Sequence, residues 1–162
     1  MDITTVGIIG AGTMGNGIAQ ACAVSGINVV MVDISEAAVQ KGLATVSGSL
    51  DRLVKKEKIS AADKDAAMAR IKVSTSYDDL KAGQLVIEAA TENYDLKVKI
   101  LQQLDAVLAP EVLVATNTSS ISITKLAGLQ VVVAGRNFDA CHGGVFVSGA
   151  DFFFFDQAVK AA

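Results

Sequence analysis

The sequence predicts an α/β fold in which helices cover both faces of a parallel β-sheet. Short apolar segments rich in branched residues alternate with longer segments whose apolar residues recur every three or four positions. The short segments are apolar on both faces, as strands inside a covered parallel sheet must be. The chain has 162 residues, of which 51% are hydrophobic, and this is enough for one domain with a packed core. We therefore expect a single, doubly wound domain.

The clearest pattern lies at the start of the chain. Thr5–Ile9 reads as a buried strand and is followed by a G-x-G-x-x-G turn, an apolar helix that ends at Gly26, and a second strand over 27–32. Asp33 closes that second strand. This strand–turn–helix–strand context predicts a dinucleotide-binding, Rossmann-type fold. The residues of the turn are candidate cofactor contacts: Gly10, Ala11, Gly12, Thr13, Met14 and Gly15.

Each glycine of this motif, and Asp33 after it, has a physical purpose. Gly10 permits a tight turn, Gly12 lets the backbone approach a pyrophosphate, and Gly15 lets the helix pack closely on the sheet. The helix N-terminus then presents N–H groups and a positive dipole end to the phosphates. Asp33 can accept hydrogen bonds from both hydroxyls of the adenosine ribose. The same carboxylate repels a 2′-phosphate, and no arginine follows over 34–36, so NAD is favoured over NADP.

The remaining elements continue the alternation. Ser35 can cap the next helix, and Pro110 ends the last one. The predicted bounds are helices over 35–58, 61–70 and 94–108, strands over 71–73, 85–88 and 112–115, and a connector over 78–82. Polar residues follow the later strands at 88–93 and 117–120. Because ligands bind at the carboxyl ends of parallel strands, these residues should meet the glycine turn in one crevice.

Composition excludes several other classes of function. The net charge of −3 and a pI near 5.1 argue against a nucleic-acid-binding surface. No apolar run is long enough to span a membrane, and Asp2 precedes the first strand directly, so we expect neither a membrane anchor nor a signal peptide. Cys22 and Cys141 have no metal-binding or redox spacing, so we expect no metal site and a reducing cytoplasm.

Three blocks of the sequence resemble the NAD-binding domain of the 3-hydroxyacyl-CoA dehydrogenases, close to bacterial 3-hydroxybutyryl-CoA dehydrogenases. The blocks lie at 6–15, at 86–93 (Val-Ile-Glu-Ala-Ala-Thr-Glu-Asn) and at 115–120 (Ala-Thr-Asn-Thr-Ser-Ser). The resemblance covers about residues 4–127. It implies NAD-dependent oxidation of a 3-hydroxyacyl-CoA to the 3-oxoacyl-CoA, as in fatty acid and butanoate metabolism, and a homodimeric family enzyme.

The resemblance also implies individual site residues. Beyond the glycine turn and Asp33, the cofactor contacts fall on Glu92 and Lys97, and the acyl-CoA contacts on Ser49 and Lys56. The last two are seven residues apart and so point the same way from a helix, although a basic helix end is also common at a solvated surface. Ser119 matches the serine that bonds the substrate's 3-oxygen. Asn117 stands beside it and could orient the same group.

The resemblance ends near Leu126-Ala127, so we divide the chain into an NAD-binding domain over 1–127 and a divergent segment over 128–162. Val131-Val132-Val133 could still complete the sheet. Oxidation of the alcohol requires a general base, for which a histidine is suited. His142 is the only histidine and therefore the only candidate, and no glutamate follows it. The family's helical C-terminal domain is not expected here, so we expect this chain to be the cofactor-binding part.

Two other functions fit the residues. One is a different 3-hydroxyacid dehydrogenase, which would share the glycine turn. The other is a module that binds NAD(H) without turnover. It is favoured because the resembling family carries a His-Phe-Phe-Asn-Pro block followed by a glutamate, and this sequence has neither.

Overall fold

The computed structural model describes residues 2–118 and 121. The sheet contains five strands: β1 (Thr5–Ile9), β2 (Asn28–Val32), β3 (Ile71–Ser74), β4 (Leu85–Glu88) and β5 (Leu113–Thr116). The helices are α1 (Thr13–Val24), α2 (Glu36–Lys55), α3 (Ala61–Ala69) and α4 (Tyr94–Val107), with a 3₁₀ turn over Tyr77–Ala82. The predicted strand at 131–133 and the whole divergent segment over 128–162 lie outside the described residues.

All neighbouring strands of the sheet are parallel, in the order β3-β2-β1-β4-β5. The first strand of the chain is therefore central: Val6 is opposite Val29 on one side and Leu85 on the other. The chain winds outward from β1 in one direction and then in the other. This confirms the predicted doubly wound parallel sheet of the Rossmann type.

Helices cover both faces of the sheet, and each face has its own apolar cluster. One cluster lies under α1, α2 and α3 and includes Ile8, Met31 and Leu50. The other lies under α4 and the 3₁₀ turn and includes Val86 and Leu104. The strands contribute to both clusters, which is why they read as continuous apolar runs.

Short polar signals set the helix ends. The side chain of Ser35 accepts a hydrogen bond from the N–H of Ala38, and Asn93 accepts one from Leu96 in the same way. The helix predicted over 35–58 ends earlier, at Lys55. It closes in a Schellman-type turn, in which Glu57 has a φ of 54° and the N–H of Lys58 donates to the carbonyl of Leu53.

Within the part of the chain that the structure describes, none of the helices combines the length and apolar character that a membrane crossing requires.

Candidate functional site

The glycine turn and Asp33 meet at the carboxyl ends of β1 and β2. One oxygen of Asp33 accepts the N–H of Ala11 at 2.8 Å, and the other accepts the N–H of Ile34 at 2.8 Å. The N–H of Gly10 donates to the carbonyl of Val32 at 2.8 Å. These bonds fix the acid against the turn and aim its carboxylate at the crevice above β1.

The three glycines of the turn differ in what surrounds them. Gly10 has a φ of +101°, a conformation that favours glycine. A Cβ on Gly15 would lie 1.8 Å from the carbonyl oxygen of Gly10, so only glycine permits this approach of α1 to the turn. A Cβ on Gly12 would meet nothing within 4 Å. Gly12 therefore faces open space, as close approach of a phosphate requires.

The N-terminus of α1 is suited to an anion. Gly12 is its N-cap, no side chain caps it, and its first turn contains no acidic residue. The first N–H groups of a helix have no intrahelical acceptor, and the dipole adds positive potential there. Together with the open space at Gly12, this end fits a dinucleotide pyrophosphate, and no carboxylate in that turn competes for it.

A groove of about 480 Å³ extends from the glycine turn between α1 and α2. Asp33 lies at one end, and Ser49, predicted as an acyl-CoA contact, lines it about two-thirds of the way along α2. Lys56, the other predicted contact, is exposed at the C-cap of α2 and does not line the groove. The two helices approach closely at Gly42, where a Cβ would lie 2.7 Å from Oδ1 of Asn16.

Two basic side chains of the groove were not predicted from the sequence. Lys41 and Arg52 line it together with Thr45 and Ser49. Their spacing of three or four residues is the signal that could have identified them, because such residues share one helix face. The groove therefore offers positive charge to a phosphorylated ligand along α2.

Lys97 does not lie at a surface. Its side chain is fully buried, and its ammonium group forms an ion pair with Glu88, also fully buried, and contacts Oγ1 of Thr116 at 3.0 Å. The structure thus places this side chain inside the domain, between β4, β5 and the first turn of α4. Glu88 and Thr116 were not identified as site residues, because nothing in their local sequence indicates a partner nine or twenty-eight residues away.

Glu92 and Asn117 lie on the loops that follow β4 and β5. Oε2 of Glu92 accepts a hydrogen bond of 2.7 Å from Oγ1 of Thr118, which joins the two loops. The N–H of Asn117 donates to the carbonyl of Glu88 at 2.7 Å, and its side chain is half-buried. Ser119 and His142, the predicted substrate contact and base, lie outside the described residues.

Two further side chains near Asp33 could face a cofactor. Ile34 is 93% exposed, an unusual position for a large apolar side chain. Burial raises the pKa of the half-buried Tyr77, and the carboxylates of Glu88 and Asp33 raise it further. A flat apolar ring such as adenine would find suitable contact surfaces beside Asp33.

The cysteine in this region is inert. Cys22 is buried on α1, and burial raises the pKa of its thiol to about 12. Over the described residues, no group of three or more histidine, cysteine or acidic side chains could hold a metal ion.

Comparison with known proteins gives a consistent result. The family described as 3-hydroxyacyl-CoA dehydrogenase, NAD binding domain, matches residues 5–138. The chain is 48% identical over 125 residues to a 3-hydroxybutyryl-CoA dehydrogenase of Bradyrhizobium diazoefficiens, covering 77% of this chain and 43% of that protein. It is 37% identical over 140 residues to the fatty acid oxidation complex subunit alpha of Acinetobacter baylyi, covering 86% of this chain and 19% of that one.

Solved structures agree. The crystal structure of the (S)-3-hydroxybutyryl-CoA dehydrogenase PaaH1 from Ralstonia eutropha superposes with a TM-score of 0.81 and 58% identity, covering 98% of this chain and 60% of that one. FadB2 of M. tuberculosis superposes with a TM-score of 0.77 and 38% identity, covering 79% of this chain and 45% of that one. The chain spans less than half the length of the curated relatives it matches.

Proposed function

We propose a function from one premise: the chain belongs to the 3-hydroxyacyl-CoA dehydrogenase family and carries its NAD-binding domain. On that premise, it takes part in the reversible, NAD-dependent interconversion of a 3-hydroxyacyl-CoA and a 3-oxoacyl-CoA, of the 3-hydroxybutyryl-CoA dehydrogenase type. One observation carries the proposal: Asp33 is bonded to the glycine turn at Ala11, directly beside an uncapped helix N-terminus. This is the arrangement that binding the ribose and pyrophosphate of NAD requires.

The glycine-turn residues Gly10–Gly15 and Asp33 would hold the adenosine half of NAD. Gly12 and the first N–H groups of α1 bind the pyrophosphate, and Asp33 accepts the ribose hydroxyls. Glu92 and Lys97 were predicted as further cofactor contacts; Glu92 is proposed as a direct contact, and the fully buried Lys97 as a residue that acts on the site indirectly. Held by these residues, NAD would supply the acceptor and donor of the hydride exchanged with C3 of the substrate.

The substrate side of the proposal rests on the resemblance and on the groove along α2. Ser49 lines that groove, and the nearby basic charge of Arg52 suits the phosphates of an acyl-CoA. Lys56, at the exposed end of the same helix, would serve the same ligand. Ser119 is proposed to donate a hydrogen bond to the 3-oxygen and Asn117 to orient it.

The remaining parts of the proposal concern the group that removes the substrate's hydroxyl proton, the cellular location and the partners of the protein. His142 is proposed as the base that removes the hydroxyl proton, because it is the only histidine of the chain. The name of the Acinetobacter baylyi relative supports a part in fatty acid oxidation. A cytoplasmic location and a part in butanoate metabolism are proposed from the family resemblance. The acidic composition supports the absence of nucleic-acid partners. A homodimer is proposed for the family enzyme.

The test is NADH fluorescence with the purified 162-residue chain, followed by addition of acetoacetyl-CoA. Saturable binding and subsequent consumption of NADH would support the dehydrogenase. Binding without consumption would favour the alternative of a module that binds NAD(H) without turnover. Absence of NADH binding would contradict both. Ser119→Ala is the matched variant: it should leave NADH affinity unchanged and reduce turnover.

A further inference from the structure

Glu88 bonds to two different parts of the structure through its two carboxylate oxygens. Oε2 pairs with the ammonium of Lys97 and accepts a hydrogen bond of 2.7 Å from Oγ1 of Thr116. Oε1 accepts the backbone N–H groups of Ala90 at 2.9 Å and Thr91 at 3.3 Å. The carboxylate therefore receives four donors while it is fully buried.

A buried ion pair is a costly way to stabilise a fold. Removing two charges from water has a large desolvation cost, and well-packed apolar residues of the same volume often stabilise a protein as well or better. The pair here is tolerated because Thr116 and the two backbone N–H groups satisfy the remaining hydrogen-bonding capacity. What the ion pair provides that an apolar pair would not is a set of directional hydrogen bonds between the loop after β4 and the end of β5.

The carboxylate of Glu88 joins the loop after β4 to Thr116, the last residue of β5. The loop after β4 contains Ala90 and Thr91 and carries Glu92. The loop after β5 is joined to β4 by the N–H of Asn117, which donates to the carbonyl of Glu88. The bond from Thr118 to Glu92 closes this ring of contacts.

We propose that Glu88 is a positioning residue: its carboxylate fixes the loop that carries Glu92 to Thr116, the strand residue that precedes Asn117, and Lys97 acts on the site through Glu88. The inference rests on the proposed function for its ligand, NAD. It assigns a role to Glu88 and Thr116, and it changes the role of Lys97 from a ligand contact to the buried counterion of the positioning group.

The chemistry requires glutamate at this position. A glutamine has one acceptor oxygen, so it can satisfy either the backbone N–H groups of the loop or the hydroxyl and ammonium of Thr116 and Lys97, but not both. With its amide oxygen toward the loop, its N–H₂ group faces the ammonium of Lys97, which then keeps only Thr116 as an acceptor. With the amide turned the other way, the N–H₂ group faces the N–H groups of Ala90 and Thr91. Glu88→Gln therefore keeps the size of the side chain and disconnects one of the two parts.

The two roles of Lys97 predict opposite behaviour of a double variant. If Lys97 contacts NAD directly, Lys97→Met lowers NADH affinity, and adding Glu88→Gln cannot restore it. If Lys97 acts through Glu88, each single variant leaves an unbalanced buried group and weakens binding. The neutral double variant then recovers a substantial part of the lost affinity, because no unpaired charge remains.

The experiment measures NADH dissociation constants and thermal midpoints for Glu88→Gln, Lys97→Met and the double variant of the full chain. Lys99→Met, an exposed lysine of the same helix, is the matched control and should change neither. We expect the single variants to bind NADH about tenfold more weakly while folded, as loss of a hydrogen bond to a charged group implies. Thr116→Val should weaken binding and Thr116→Ser should preserve it.

Hydrogen exchange of the segment 89–93 supplies a second readout that does not depend on NADH. We expect faster amide exchange at Ala90 and Thr91 in Glu88→Met, whose side chain has no oxygen to accept either N–H group. Unchanged exchange, or unchanged NADH affinity in folded single variants, would overturn the positioning role. A double variant that binds as weakly as Lys97→Met would also overturn it, in favour of direct contact. If the unaltered chain binds no NADH, the proposed function fails, and exchange alone still decides whether Glu88 fixes the loop.

Discussion

The two halves of the crevice are built in different ways. The glycine-turn side, formed by residues 10–15 and Asp33, consists of backbone conformation, an open helix end and one carboxylate bonded to a nearby N–H. The Glu88 side, formed by Glu88, Lys97 and Thr116, consists of buried side chains from three separate elements. In the first half, the glycine turn is one continuous segment and only Asp33 comes from the end of a neighbouring strand, whereas the second half consists entirely of contacts between separate elements.

The largest expected effect is on the glycine-turn side. Gly15→Ala would place a methyl group 1.8 Å from the carbonyl oxygen of Gly10, which backbone atoms cannot relieve by a small movement. We expect a loss of more than about 3 kcal/mol in the free energy of unfolding, measured by urea denaturation. Gly12→Ala is the control: with nothing within 4 Å, it should leave stability nearly unchanged. Equal destabilisation of the two variants would contradict the difference between these glycines.

Asp33→Ala tests the carboxylate of the same side. It removes the acceptor proposed for the ribose hydroxyls as well as the bond to Ala11. We expect NADH binding to weaken by about 1–3 kcal/mol, as loss of charge-assisted hydrogen bonds implies, in fluorescence titrations. Asp65→Ala, an exposed carboxylate on α3, should bind NADH normally. Unchanged affinity of the Asp33 variant would refute the ribose assignment.

On the Glu88 side, Thr118→Val removes the hydroxyl that bonds Glu92 and keeps the shape of the side chain. We expect a loss of about 1 kcal/mol in NADH binding, because Glu92 is then less well placed. Thr118→Ser retains the hydroxyl and should restore most of the affinity. If both variants bind alike, the bond between the two loops has no part in cofactor binding.

The smallest effect concerns Cys22, packed on α1 behind the glycine turn. Burial raises the pKa of its thiol from 9.0 to about 12, so above pH 9 the unfolded chain loses this proton while the folded chain keeps it. Stability should therefore fall as pH rises, by less than about 1 kcal/mol between pH 8 and pH 9.5. The measurement is urea denaturation of the unaltered chain and of Cys22→Ala. The alkaline loss should be smaller in the variant, and equal loss would contradict tight packing of α1.

What could be predicted from the sequence also differs between the glycine-turn side and the Glu88 side. The doubly wound parallel sheet and the glycine turn could be predicted because they depend on local periodicity and on glycine at fixed spacing. The early end of α2 was missed, since Glu57 occupies a left-handed position that usually favours glycine. Lys97 was placed in the correct element, yet its burial could not be read from a sequence in which Lys99, two residues later, is exposed.

The Glu88–Thr116 bond could not be predicted from the sequence for a related reason. Its partners lie on neighbouring strands whose register is fixed by packing and not by a local motif. The groove residues Lys41 and Arg52 could have been predicted from the sequence, because their spacing with Ser49 places them on one helix face. The contacts implied by Ser119 and His142 remain predictions.

The central position of β1 also has a consequence for biosynthesis. Residues 5–9 leave the ribosome before the other strands of the sheet, and β2 can pair with one edge soon afterwards, but β4 begins only at Leu85. At about 5–20 residues per second, the other edge of β1 stays open for several seconds. An open apolar edge is a template for pairing with other nascent chains. We expect the yield of folded protein to depend on how quickly translation passes from β2 to β4.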